Sequence, residues 1–452
     1  MDSLSVYSAI LLGLYALTLL TLAVWSYFKE DHAGYVIGGR NIGFFASASS
    51  MLAGQFNGGG VFFLVTFAIL SGYGSMSFSA GGFLLGYIVI AVLARRVRED
   101  AEKYDDVNVP DIVHRYIGKL TGHFSSFIII GKALLFGTAQ LLIAGSVVAA
   151  VFGLEKVWGI GATAALIAIY MILGGYLTVI RTDILQWGFL LFVVIAAAFF
   201  YPFPSVSTVI NDVIGAGTMT TLGYALFTFM LILSNADVWQ RVMSAKNVRT
   251  ARKSLITSGL LFSVFWFFGL VITTSWATQI DVKYDFFALF NDRLLSPITL
   301  SILGVFTLTA VMSTIDTQVY LFTSAIAKNL MKLNLATSRI RYVRVTRYLT
   351  LGLLLFMAIA ASFAGGTLQF VLKAFSFAYI LAPIIVLALI WKEQSKTKDI
   401  LCFISLSIGL AVYLIMYAQD LFSEMIYFCI PAGITSLLCF GGYSFAKLLP
   451  QK

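Results

Sequence analysis

Apolar runs of about 17 to 30 residues alternate with short polar breaks along the whole chain, and a helix of such a run spans a hydrocarbon layer ~30 Å thick. Thirteen runs can be drawn, near residues 5–26, 42–70, 75–94, 123–153, 157–174, 183–203, 218–236, 254–278, 296–327, 346–364, 368–390, 400–417 and 424–446. The second run departs from the pattern in its middle. There lies AGQFNGGGVF, residues 53–62, with Gln55, Asn57 and the glycines Gly54, Gly58, Gly59 and Gly60. Clustered glycines let a helix unwind, and unwound backbone at membrane depth is tolerated only where it lines a cavity or binds something. A plainer reading stays open, in which the glycines form a seam that admits a neighbouring helix closely.

Composition agrees with the pattern. The 452 residues are 60% hydrophobic and 11% charged, with a mean hydropathy of +0.92, outside the range of soluble domains. Apolar spans pack into one bundle, so a single membrane domain over residues 1–452 is expected. The first run has no basic segment before it and no small-residue cleavage pattern after it, and is expected to be a retained span. A net charge of +9 could suggest nucleic acid, but the distribution of basic residues points elsewhere. With the N-terminus outside, 25 of the 30 Lys and Arg fall on the cytoplasmic side, all but Lys132, Lys156, Lys283, Arg293 and Lys373. The expectation is a multi-pass protein of the inner (plasma) membrane, N-terminus out and C-terminus in, with the bilayer rather than nucleic acid as its surroundings.

Several function classes drop out. The longest polar loop, ARRVREDAEKYDDVNVPDIVHRYIGK, is too short to be a catalytic domain. The Gly-Lys pairs at 118–119 and 131–132 are followed by Leu and Ala, so there is no phosphate loop. Cys402, Cys429 and Cys439 lie in the last two runs and His32, His114 and His123 in or beside loops, giving neither a disulfide framework nor a His/Cys metal site. No nucleophile motif or paired acid and base appears in the spans, so no enzymatic activity and no cofactor are expected. Work done across the membrane must then draw on an ion gradient.

Polar residues inside the runs are few, and each calls for a partner or a function. In LTAVMSTIDTQVYLFTSAI, Ala310, Ser313, Thr314 and Thr317 share one helical face and Asp316 lies near mid-span. Hydroxyls in a membrane helix often bond back to their own backbone or join two helices; a carboxylate beside them adds hard oxygen donors of the kind that Na+ or H+ sites use. Asp183, next to Arg181 in GGYLTVIRTDILQW, reads either as a helix N-cap or as a second ion-binding carboxylate. Lys132, about two turns into its run, either snorkels to the interface or is a buried cation paired with Asp183, Asp316 or a solute carboxylate.

With GGRNIGFFASASSMLAGQF entering the second run, GGYLTVIRTDILQ, DVWQRVMSAKNVRTARKS and TAVMSTIDTQVYLFTSAIAKNL, the sequence resembles the sodium:solute symporter family over essentially its whole length. The resemblance implies an all-α fold of about 13 transmembrane helices. Its core would be two inverted five-helix repeats of the LeuT type, near 42–203 and 218–390, with one extra helix before (5–26) and two after (400–446). It implies a Na+ site made by the backbone carbonyls of Ala53, Phe56 and Ala310 and the hydroxyls of Ser313 and Thr314. A second ion site, described for the sialic acid branch, would here use Asp183, Ser313, Asp316 and Thr317, with Asp316 where that branch has a hydroxyl. Where proline carriers have an Asp in the broken helix this chain has Gln55, and a nearby hydroxyl becomes Asn57; Asn235 falls where the sugar branch also has Asn. Gln55, Asn57, Gly58, Lys132, Gln140 and Asn235 are the candidate solute contacts.

The resulting expectation is a secondary transporter, functional as a monomer, that couples inward Na+ flow to uptake of a small polar organic solute by alternating access. Proton coupling through Asp183 and Asp316 is one alternative, and a solute-sensing module that moves nothing is another.

Overall fold

The computed structural model describes residues 3–29, 37–200, 205–215, 217–280, 286–292, 295–333, 335–364, 367–391 and 393–448; His32, Lys283 and Arg293 lie outside them. These residues form helices joined by turns and short loops, with a single parallel bridge between Ile42 and Ala245. The helices are α1 (Ser3–Lys29), α2 (Phe44–Gln55), α3 (Gly58–Tyr104), α4 (Val109–Tyr116), α5 (Lys119–Phe152), α6 (Lys156–Phe200), α7 (Val206–Gly215), α8 (Thr218–Ser234) and α9 (Ala236–Ser244). They continue as α10 (Val248–Ile280), α11 (Ala288–Asn291), α12 (Pro297–Ser324), α13 (Leu335–Phe363), α14 (Thr367–Tyr379), α15 (Ala382–Ile390), α16 (Lys396–Ala418) and α17 (Ile430–Leu448).

Among the described residues, nine helices are long and apolar enough to cross a membrane, or ten if the bent pair α8–α9 counts as one. The thirteen runs are not thirteen separate helices. Helix α3 continues through the polar break expected at 71–74, and α6 joins the runs 157–174 and 183–203. Within α6 only Gly175 leaves helical geometry, at φ 59° and ψ −152°, a conformation open to glycine alone, so that α6 is two helical stretches meeting at a kink. Elsewhere the ends are set by local chemistry: Asn108 and Asp111 form a reciprocal capping box on α4, and Ser296 caps α12 ahead of Pro297.

Two packed groups emerge. Helices α8, α9 and α10 pack along α3, with α2 between α10 and α6; α5, α6, α12 and α13 form the other group. The functional residues collect where α2, α8 and α9 of the first group face α5, α6 and α12 of the second.

Candidate ion and solute site

The first chain break falls where the glycines and amides predict it. Helix α2 ends at Gln55, Phe56 takes φ −75° and ψ 64°, and Asn57 is extended before α3 begins at Gly58. Asn57 holds this break open with its own side chain: Oδ1 accepts from the Gly60 N–H at 2.5 Å and Nδ2 donates to the Gln55 carbonyl at 3.1 Å. Its amide is therefore spent on freed backbone groups, which a helix end must satisfy. The Phe56 ring is wedged between Trp187 and Phe262, with centroids 5.7 and 4.9 Å away.

A second break, which the run 218–236 did not announce, divides α8 from α9 at Asn235 with a bend of 44°. The Trp239 indole donates to the Leu233 carbonyl at 2.9 Å, satisfying one acceptor near this break. Asn235 Oδ1 accepts from Lys132 Nζ at 3.0 Å. Lys132 is buried, and among the described residues that amide is its one partner. Neither Asp183 nor Asp316 pairs with it, and it does not snorkel.

The two breaks and Lys132 share one cavity, also lined by Gly54, Gln55, Asp237, Thr314 and Gln318. Its volume is ≈ 10 Å³, room for about one water and too small for an organic solute. Two amide atoms there, Gln55 Nε2 and Gln318 Oε1, lack a hydrogen-bond partner among the described residues. Gly58 is the first residue of α3. Gln140 is fully buried in α5 but does not line the cavity, because it lies two turns beyond Lys132 along the helix.

Four of the five expected Na+ oxygens meet between α2 and α12. Ser313 Oγ lies 3.2 Å from the Ala53 carbonyl and 3.0 Å from that of Ala310, and Thr314 Oγ1 lies 3.0 Å from the Ala310 carbonyl. The hydroxyls donate to those carbonyls here, yet each can rotate its proton away and offer a lone pair to a cation. The carbonyl of Ala53 is near the frayed end of α2, where carbonyls have no partner further along the helix. Phe56 stands at the break itself.

The carboxylates are engaged otherwise than the sequence suggests. Asp183 is fully buried and paired with Arg241 at 2.8 Å; it also accepts from Ser50 Oγ, which Arg241 Nε contacts at 2.6 Å. Arg241 pairs with Asp237 one turn before it on α9 as well. Asp183 is thus no helix cap: its Oδ2 is taken up by Arg241 and Ser50, while its buried Oδ1 has no hydrogen-bond partner among the described residues. Asp316 accepts from the Tyr170 hydroxyl at 3.0 Å and from Thr317 Oγ1 at 3.4 Å. Thr317 Oγ1 also reaches the Ser313 carbonyl at 3.2 Å, which keeps the second group of residues continuous with the first. Gly54 has a packing role after all, since a Cβ there would meet Asp237 Oδ2 at 2.9 Å.

Arg241, Ser50, Tyr170 and Gln318 were not singled out from the sequence. Arg241 carries a readable signal: it follows Asp237 by four residues, the helical spacing of an ion pair, in a stretch otherwise counted as loop. Tyr170 and Ser50 have none, being a tyrosine and a serine among many.

At one end of the bundle a polar cluster ties the groups together. Arg40 pairs with Asp105 at 2.6 Å, Lys328 with Asp111 at 2.8 Å and Arg115 with Asp106, while Asn329 donates to Asp111 at 2.7 Å. Burial, with the neighbouring Asp111, raises the Asp106 carboxyl to about 6 against the pull of Arg115 and Lys328.

The family profile described as sodium:solute symporter family matches residues 35–409. An osmoregulated proline transporter of Bacillus subtilis is 24% identical, covering 96% of this chain and 94% of its own. A sodium/proline symporter of Staphylococcus aureus is 23% identical over 95% and 90%. Among solved structures, a Na+-coupled sialic acid symporter in a substrate-bound outward-open state superimposes with a TM-score of 0.79 at 15% identity, covering 98% of both chains.

Proposed function

The chain belongs to the sodium:solute symporter family and is a Na+-coupled symporter, and on that premise we propose that it takes up a small polar solute bearing a carboxylate, held between the two helix breaks. The observation that carries this reading is Lys132: a buried lysine whose one partner among the described residues is the neutral amide of Asn235, in a cavity that joins both breaks. A buried cation without a counter-ion is costly, and a solute carboxylate supplies one. Gln55 and Gln318 add an amide donor and an amide acceptor for the remainder of the solute. The proline named for the relatives carries such a carboxylate, which makes it the first solute to test.

Sodium would bind at Ala53, Phe56, Ala310, Ser313 and Thr314. That position joins α2 of one packed group to α12 of the other, so the ion stabilises the arrangement in which both sets of oxygens face each other. Closing that contact fixes the α2–α3 break, one wall of the solute cavity, and this shared wall is how ion and solute binding assist each other. With Asp183 already paired to Arg241, we read the coupling as one Na+ per solute, with proton coupling through Asp183 disfavoured by the same pair.

The thirteen-helix inverted-repeat arrangement fits this scheme when α3 is divided near 71–74 and α6 at Gly175. The two breaks, Phe56–Asn57 and Asn235, then each interrupt the first core helix of a repeat. The basic-residue asymmetry puts the N-terminus outside and the cluster of Arg40, Asp105, Asp111 and Lys328 at the cytoplasmic end of an inner-membrane monomer.

The test is uptake into proteoliposomes under an inward Na+ gradient. Proline should enter, prolinamide should compete poorly, and Lys132→Met should abolish that preference while leaving Na+-dependent thermal stabilisation in place. Equal competition by prolinamide, or an unchanged preference in Lys132→Met, refutes the carboxylate assignment. Solute-induced stabilisation without counterflow would identify a sensor rather than a carrier.

A further inference from the structure

Two arginines stand where a hydrocarbon-facing helix begins. The part of α13 apolar enough to span a membrane is Ile340–Phe363, and Arg344 and Arg347 lie within its first two turns. Ile340, Arg344, Arg347 and Leu351 follow at i, i+4, i+7 and i+11, which puts them on one helical face. That face meets α6 at Ile172, just ahead of the kink at Gly175. A cavity of ≈ 390 Å³ lies between Ile172 and this face of α13.

The chemistry of this wedge is lopsided. Its walls are the aliphatic side chains of Ile172, Ile340, Val343 and Leu351 with Tyr348 at the rim, and its polar groups are two guanidiniums; no carboxylate is among the residues that line it. Arg344 is exposed and makes no hydrogen bond or ion pair among the described residues. Arginine in the apolar part of a span is retained where something pairs with it, and a planar guanidinium matches a phosphate with two parallel hydrogen bonds.

Below the arginines the same face stays apolar and open: Leu351, Leu355 and Ile359 are 47%, 63% and 53% exposed. A free anion has no use for that stripe, whereas an acyl chain lies along it. We propose that the wedge between α13 and α6 is a binding site for an anionic phospholipid, with Arg344 and Arg347 on the headgroup phosphate and an acyl chain along Leu351, Leu355 and Ile359. Basic pockets between membrane helices near the cytoplasmic surface suit such headgroups. The wedge shares no lining residue with the solute cavity and does not depend on the Na+ or solute assignments.

The experiment measures thermal unfolding of the purified full-length protein in a neutral detergent while phosphatidylglycerol, phosphatidylcholine or inorganic phosphate is titrated in. The variants are Arg344→Gln, Arg344→Gln with Arg347→Gln, and Arg249→Gln, an exposed arginine elsewhere on α10. Phosphatidylglycerol should stabilise the wild type at a concentration at least tenfold below that needed for phosphatidylcholine. The double variant should lose that difference, Arg344→Gln should lose part of it, and Arg249→Gln should keep it. Should the double variant fold poorly, counting co-purified phosphatidylglycerol on Arg344→Gln against wild type by native mass spectrometry decides. The proposal is overturned if the arginine variants respond like wild type, if Arg249→Gln loses as much, or if inorganic phosphate reproduces the shift.

Discussion

Replacing Arg241 by Gln strands two carboxylates, Asp183 and Asp237, in a region where Arg241 itself is 1% exposed and Asp183 0%. Removing one partner of a buried pair costs about 3–5 kcal/mol, because the remaining charge keeps its desolvation penalty and loses its compensation. Removing Asp183 together with Arg241 takes away one of the two stranded charges, so Asp183→Asn in the Arg241→Gln background should recover a coupling energy of about 1–3 kcal/mol. Asp237 remains, so recovery is incomplete. The assay is thermal unfolding of the purified protein, with and without Na+, for wild type, both single variants and the double. A second readout separates this pair from ordinary packing: with Arg241 gone, Asp183 and Ser50 offer oxygens to a cation, so Na+ should raise the unfolding temperature more in Arg241→Gln than in wild type. Additive losses in the cycle, or an unchanged Na+ response in Arg241→Gln, would refute the argument that Arg241 occupies the place of a second cation.

Two further outcomes are expected. Ser313→Ala and Thr314→Ala each remove one oxygen between α2 and α12, which should weaken Na+ binding by about 1–3 kcal/mol, roughly 5- to 150-fold; half-maximal uptake should move to higher Na+, and unchanged Na+ dependence in both contradicts the site. The Asp106 carboxyl is raised to about 6 from the ordinary 3.8, so it favours the folded state fully below about pH 4 and loses that contribution as pH rises through about 6, at most ~3 kcal/mol. Asp106→Asn should therefore flatten the fall in stability between pH 4 and 7, and a curve parallel to wild type would show that Asp106 does not titrate in that window.

The sequence determined those features that follow from backbone chemistry and periodicity. A helix cannot run unbroken through Gln55-Phe56-Asn57-Gly58-Gly59-Gly60 without loss, and the break is there. Ser313 and Thr314 must share a face with Ala310, and they do. The membrane class followed from the length and hydropathy of the runs, because unpaired backbone polar groups have no place in lipid. Tertiary structure decided which charges meet. Asp183 and Arg241 are 58 residues apart, and Lys132 and Asn235 are 103 apart; nothing local distinguishes those pairs from the Lys132–Asp183 and Lys132–Asp316 pairs that fail to form. The break at Asn235 has no glycine run to mark it: the Trp239 indole takes up the Leu233 carbonyl, and Lys132 meets the Asn235 side chain, both partners set by tertiary packing. Pairing of buried charges and of freed backbone groups depends on which helices pack face to face, and periodicity along one helix carries no information about its neighbour's rotation.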